Sequence, residues 1–179
     1  MEEEAKTQSQ VKYSRTARTL HWVMALPIIA LLFFGEHTMG SHNARFLPSL
    51  HASTGAVVLL LVSFRLFWRW KHRPPMPTNG SRFERTAASL THLALYAAMV
   101  FIPLTGWFAY TEHVRRSMGT RPASWFGLRI PLLPDFGVNW HMIHNWGGKL
   151  VLALIAVHIA AALKHHFYNK DNTLERMLP

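Results

Sequence analysis

There is no cysteine anywhere in the 179 residues. That excludes disulfides, iron–sulfur clusters and covalent haem attachment through a C-x-x-C-H motif. Any redox cofactor must therefore be held by other side chains. Acidic residues are scarce: nine Asp and Glu stand against nineteen Lys and Arg, a net charge of +10. Charge of either sign is missing altogether from residues 19–35, 46–64, 86–111 and 150–163. Lys149 alone separates the last run from an uncharged approach that begins at Phe136. Apolar stretches of about 18 or more residues cross a bilayer as helices, and a soluble chain of this size has too little polar surface to cover four of them. Residues 1–10 are polar, include Glu2, Glu3 and Glu4, and lack the basic n-region of a signal peptide. The first apolar run is thus expected to remain as a helix.

The excess of basic charge suggests nucleic acid until its positions are read. Outside the apolar runs, twelve Lys and Arg fall before Thr19, within 69–90 and at the C-terminus, against five in 36–50 and 112–140. This asymmetry follows the positive-inside rule. It points to membrane topology and lipid contact, with no nucleic-acid partner. Both termini and the 69–90 loop are expected in the cytoplasm, which makes this a multi-pass protein of a bacterial inner membrane.

Helices are expected over about 16–35, 49–70, 83–110 and 140–168, with Pro27 and Pro103 inside the first and third. The prolines at 74, 75 and 77 force a loop over 73–80. Pro122, Pro131 and Pro134 mark the longest loop, where Trp125, Phe126 and Trp140 suggest an interfacial segment. The organisation is a disordered cytoplasmic tail over 1–12 and one transmembrane domain over 13–179. No barrel alternation is present, so the fold class is all-α, an integral membrane four-helix bundle.

Twelve histidines are a high count for this length. His144 and His158 lie fourteen residues apart on the fourth helix. Steps of about 100° bring them within roughly 40° in facing, and a rise of about 1.5 Å per residue separates them by about 21 Å. Ligands so far apart cannot share one ion, which argues against zinc. Two haems stacked across a membrane need this spacing, each iron taking a second imidazole from another helix at matching depth. His51 opens the second helix level with His144. His21, at the start of the first, lies nearer the depth of His158. His92, at the start of the third, competes with His21 on depth alone. His141 lies about 100° from His158 in facing, so His144 fits better. A lone helical histidine more often satisfies a neighbour's hydrogen bond; four at two depths are harder to explain that way, because polar groups inside membranes are costly. Gly55, one turn after His51, and Gly147 and Gly148 after His144 permit either a flat macrocycle or close helix packing. Arg65, fourteen residues after His51, suits a propionate of the inner haem, or snorkels to headgroups. Trp22, Trp68 and Trp70 read as belt residues.

The segments Tyr-Ser-Arg at 13–15, Leu-His-Trp at 20–22, His-Ala-Ser-Thr-Gly at 51–55 running to Arg65, and His-Leu-Ala-Leu-Tyr at 92–96 form a recognisable series. It continues with the His144–His158 spacing and closes on Leu-Lys-His-His-Phe at 163–167 and Lys-Asp-Asn-Thr-Leu at 170–174. In these residues the chain resembles the bacterial cytochrome b561 family, and within it the membrane-bound superoxide oxidases, over about 12–179. The resemblance implies four helices, two non-covalent haem b groups and a ubiquinone site near the inner haem. It implies His21, His51, His144 and His158 as axial ligands to haem iron, and His92 and His165 near the quinone. Two departures stand out: Asn79 occupies a place where the superoxide oxidase pattern has lysine, and the long outer loop differs.

The resulting expectation is an oxidoreductase. Superoxide delivers electrons at the outer face, and ubiquinone accepts them at the inner one. Arg45, Arg115, Arg116, Arg121, Arg129 and Lys149 would draw a small anion to the outer surface. The alternative is a relay subunit that passes electrons between a partner redox protein and the quinone pool. A third reading, a structural or transport bundle, requires that no haem binds.

Overall fold

The computed structural model describes residues 12–39, 46–72, 81–118 and 123–178. The expected tail over 1–11, the loop at 73–80 with Asn79, and Arg45, Arg121 and Pro122 lie outside the described residues. Four helices dominate: α1 (Arg15–Met39), α2 (Phe46–Lys71), α3 (Arg82–Met118) and α4 (Trp140–Phe167). All four are long and apolar enough to cross a membrane. They run alternately up and down, so Tyr13 and Arg176 meet at one end, while Ser49 and Ser124 meet at the other. We call these the near end, which carries both chain termini, and the far end.

The helices begin where local chemistry favours them. Ser81 and Glu84 form a reciprocal capping box at α3: the Ser81 N–H donates to Glu84 Oε2 at 2.8 Å, and the Glu84 N–H donates to Ser81 Oγ at 3.2 Å. Asn139 caps α4 by accepting from the Met142 N–H at 2.9 Å. Across the near end, Lys164 Nζ meets Glu84 Oε1 at 2.6 Å and ties α4 to α3.

Between the two ends lies a thin apolar layer. Met24, Val58 and Val62 are buried there, with Ile28, Leu31, Leu61, Leu66, Met99 and Val100 packed around them. Much of the remaining hydrophobic surface faces outward, including Leu26, Phe33, Leu60, Phe101 and Leu150. A water-soluble protein rarely tolerates so much exposed apolar area; hydrocarbon chains cover it at no cost.

Two features depart from the sequence reading. First, α3 extends to Met118, beyond the expected end near Tyr110. In its added turns Glu112 and Arg116 bridge at 2.5 Å with i,i+4 spacing, and Arg115 donates to the Leu133 carbonyl. Second, the long loop contains a small hairpin, β1 (Ala123–Trp125) and β2 (Leu128–Ile130), with Ala123 opposite Ile130. Its two-residue turn places Phe126 at φ 47° and Gly127 at φ 82°, the pairing of positive angles that a tight hairpin requires. Buried Ser53 holds the turn by accepting from the Phe126 N–H at 2.9 Å. Tyr110, Val114 and Ala123 then form a second apolar cluster, which joins α3 to the hairpin.

The chain after α4 folds back over the near end. The Tyr13 N–H donates to the Arg176 carbonyl at 3.2 Å, Arg18 donates to the Leu178 carbonyl at 2.6 Å, and Trp22 Nε1 donates to the Met177 carbonyl at 3.0 Å. Trp22 is therefore fixed to protein rather than being only a belt residue. Trp68 likewise donates to Ser14 Oγ at 3.3 Å, whereas Trp70 is exposed as a belt residue should be. Within the hook, Asp171 lies 2.6 Å from His165 Nδ1 and accepts from the Thr173 N–H at 2.9 Å. Partial burial opposes ionisation of Asp171, but bonds from Thr173 and His165 outweigh it and hold the carboxyl below its ordinary value of 3.8. A depressed carboxylate stabilises the fold above its ordinary pKa and ceases to do so as pH falls through the folded one. The protection of amides over 168–178, taken relative to their intrinsic exchange rates, should accordingly stay high above pH 4 and fall below it. In Asp171→Asn, exchange should already be fast at neutral pH. A hook equally protected in that variant would exclude the Asp171–His165 contact as its fastening.

Candidate functional site

The histidines gather in facing pairs. At the far end the His51 and His144 ring centroids are 5.9 Å apart with planes at 86°. At the near end His21 and His158 are 6.3 Å apart with planes at 69°. His141 is exposed, and His144 is the residue that turns to His51. The apolar layer of Met24, Val58 and Val62 separates the two pairs.

Those separations are informative about what fits between the rings. Metal–imidazole bonds of about 2 Å on each side place two trans rings with centroids roughly 6 Å apart. Both pairs match that span. The donor set is neutral nitrogen from imidazole, the set used by b-type haem iron. Among the described residues no group of three or more His, Asp or Glu side chains gathers around a common point. The arrangement is two separate two-ligand sites, which suits a planar macrocycle that supplies its own four donors.

Backbone and glycine geometry support each ring. His144 Nδ1 lies 3.0 Å from the Ile102 carbonyl and 3.3 Å from Thr105 Oγ1. A carbonyl only accepts, so Nδ1 carries the proton and Nε2 keeps its lone pair for a metal. Thr105, which is buried, also donates to the Ile102 carbonyl at 2.8 Å. The ring is admitted by Gly106: a Cβ there would stand 2.8 Å from His144 Cε1. His51 is similarly close to Gly35, where a Cβ would meet its Cε1 at 3.4 Å. At Gly55, one turn from His51, a Cβ would meet nothing within 4 Å. Close packing of helices therefore does not explain Gly55, and a cradle for a flat group does. Gly147 is the opposite case, since a Cβ there would lie 2.3 Å from Ile102 Cδ1.

The near end holds more groups. His92, an exposed residue of α3, places its ring 5.4 Å from His158, so His158 faces both His21 and His92. Of the two, the His21 separation is nearer the span that a haem iron held between the rings would need. Arg65 Nε donates to Tyr96 Oη at 3.2 Å, and the Arg69 guanidinium lies 5.3 Å from the same ring. The charge of Arg65 acts on His21, His92 and His158 together. His165 Nδ1 is engaged by Asp171 at 2.6 Å and Asn169 at 3.2 Å.

Sequence reasoning missed Gly106, Thr105 and the Ile102 carbonyl, which together seat His144. Their only sequence signal is the Pro-x-Thr-Gly run at 103–106, which breaks an otherwise bulky apolar helix.

The prokaryotic cytochrome b561 family matches residues 12–179. Cytochrome b561 homolog 2 of Escherichia coli is 31% identical, over 96% of this chain and 94% of that protein. A probable superoxide oxidase of Yersinia pestis is 26% identical, over 94% of this chain and 96% of its own. A probable Ni/Fe-hydrogenase B-type cytochrome subunit of Cupriavidus necator is 23% identical, over 88% of this chain and 62% of its own. With four membrane-spanning helices and paired histidines at two depths, the chain belongs to the prokaryotic cytochrome b561 family, the membrane electron-transfer proteins that carry b-type haem.

Proposed function

We propose that this chain is a superoxide:ubiquinone oxidoreductase with two b haems, one between His51 and His144 and one between His21 and His158. The observation that carries the reading is the pair of facing imidazoles at each depth, about 6 Å between centroids. Bound b haem supplies reversible one-electron exchange. His51 with His144 and His21 with His158 would hold the two groups, and electron exchange with donor and acceptor would then be outer-sphere, at the edge of each site. The net reaction balances when two superoxide anions leave as dioxygen and one quinone gains two electrons and two protons.

The residues divide this work by depth. At the far end, Ile102 and Gly106 fix the tautomer and position of His144. Exposed Arg115, Arg116 and Arg129 lend that end positive potential, which raises the arrival rate of a small anion. At the near end Arg65 is placed to pair with a propionate. His92 sits beside His158 and is placed to hydrogen-bond a quinone oxygen. His165 with Asp171 forms an acid–base dyad that would pass protons from the surface towards that oxygen. The distribution of Lys and Arg puts both termini in the cytoplasm and the far end outside the inner membrane.

A relay role is the second reading, favoured by the similarity to a hydrogenase cytochrome subunit. Purified protein separates the two. Under the first reading, superoxide reduces the haems and quinone reoxidises them with no other protein present. Haem reduction that occurs only when a partner redox protein is added would replace it with the second.

A further inference from the structure

His21 belongs to the first turns of α1, and a gap in the helical ladder separates these turns from the rest. Pro27 stands inside α1 and has no N–H to return to the Val23 carbonyl. Helices bend at such gaps. The piece of α1 that carries His21 therefore needs its direction set from outside. At the far end His144 has its own anchor, the bond from its Nδ1 to the Ile102 carbonyl.

The hook over 168–178 supplies the outside bonds. Its turns close on themselves: the Arg176 N–H donates to the Asn172 carbonyl at 3.0 Å, and the Met177 N–H donates to the Leu174 carbonyl at 2.9 Å. Three successive carbonyls, of Arg176, Met177 and Leu178, are thereby turned towards α1. They accept from the Tyr13 N–H, Trp22 Nε1 and Arg18 Nη1 respectively. Arg176 is itself buried, with its guanidinium 5.8 Å from the Tyr13 ring. Arg18 Nε is buried without a partner, and its desolvation offsets part of what the Leu178 bond contributes. Trp22 is the donor that reaches the site: its ring stands edge-on to His21, with centroids 5.3 Å apart and planes at 77°. An indole N–H only donates and a carbonyl only accepts, so the Met177 bond fixes which way the indole points. Resting on the two-haem reading above, we infer that the hook positions His21 as a ligand of the near-end haem, the Met177 carbonyl orienting Trp22 and Trp22 orienting the imidazole. Trp22 is then a positioning residue, the near-end counterpart of the Ile102 carbonyl.

The test compares haem-loaded wild type with three altered forms. Trp22→Phe keeps an aromatic ring and loses the N–H. A chain lacking residues 177–179 loses the Met177 and Leu178 carbonyls. The third form combines the two changes. Far-end haem content is the control for folding, and the far-end signals are those that vanish in His144→Ala. Each single change should weaken near-end haem retention about tenfold, the scale for groups that orient a metal ligand. It should also shift the largest ferric EPR g value of the near-end haem, which follows the angle between the two imidazole planes, together with its midpoint potential. Far-end values should stay as in wild type. The combined form should show no more than the shortened chain alone, because the Trp22 bond is already lost there. A wild-type near-end g value and potential in both single forms would overturn the inference. So would effects that add in the combined form, which would leave Trp22 a packing residue and the hook a separate brace. Equal loss at both ends would overturn it as well, since the change would then act on the whole bundle. A wild-type chain that binds no haem at either end overturns the two-haem reading itself, a result distinct from these.

Discussion

Replacing His144 with alanine is expected to halve the haem content of the purified protein, from two b haems per chain to one. The loss should fall on the far end. His144 faces His51 at 5.9 Å, and its Nδ1 proton is held by the Ile102 carbonyl, so its Nε2 is the ring's free lone pair. His21 and His158 lie about 21 Å deeper along the helices, beyond the layer of Met24, Val58 and Val62. Nothing in that layer depends on the His144 ring. Pyridine haemochrome analysis against protein concentration gives the ratio, and the surviving redox transition identifies which site remains. Retention of two haems would remove His144 from the ligand set. Loss of the near-end haem alone would invert the assignment of depths.

Gly106→Val should have nearly the same effect without touching a ligand. Even one added carbon at Gly106 stands 2.8 Å from His144 Cε1 and 3.2 Å from Nδ1. The ring cannot simply swing aside, because doing so breaks its bond to the Ile102 carbonyl and exposes buried Thr105 to the same loss. A valine enlarges the clash. We expect far-end haem to fall below about a tenth of wild type, equivalent to more than about 1.4 kcal/mol of binding free energy. Gly106→Ala should lie between the two, keeping the haem but shifting its potential as the histidine hydrogen bond weakens. Full haem occupancy in Gly106→Val would mean that α3 and α4 separate more readily than their packing indicates.

Much of this was legible in the sequence because the relevant patterns are local. Charge-free runs locate four spans to within a few residues, since a bilayer imposes a length and an apolar composition on every helix that crosses it. The spacing of His144 and His158 fixes a shared face and two depths by helical arithmetic alone. The pairing of His51 with His144 followed from depth. At the near end depth left His21 and His92 both open, and the structure places both rings beside His158. What stayed hidden depends on contacts between distant segments. Gly106 looks like any small residue in a membrane helix until His144 is seen against it. The hairpin has strands of three residues and a Phe-Gly turn, which lacks the Asn-Gly or Asp-Gly signature and is held by a serine 73 positions away. The extension of α3 past Tyr110 was missed because Glu112, Arg115 and Arg116 end the apolar run without ending the helix. His165 was expected near the quinone with His92; its contact with Asp171, six residues on, was not foreseen.

Both facing pairs take one ring from α4. His51 waits on α2 for His144, and His21 waits on α1 for His158. During synthesis, three spans must therefore enter the bilayer and remain there with every prospective ligand unmatched, until the last span is released from the translocon. On the proposed ligand assignment, neither binding place would be complete before that moment, and both would be completed by the same insertion event. Haem loading would thus wait for the final transmembrane step. A chain stalled earlier would carry its histidines into the lipid without the capacity to retain a cofactor, which gives cellular quality control a sharp criterion: a pigmented molecule is one whose fourth span has docked.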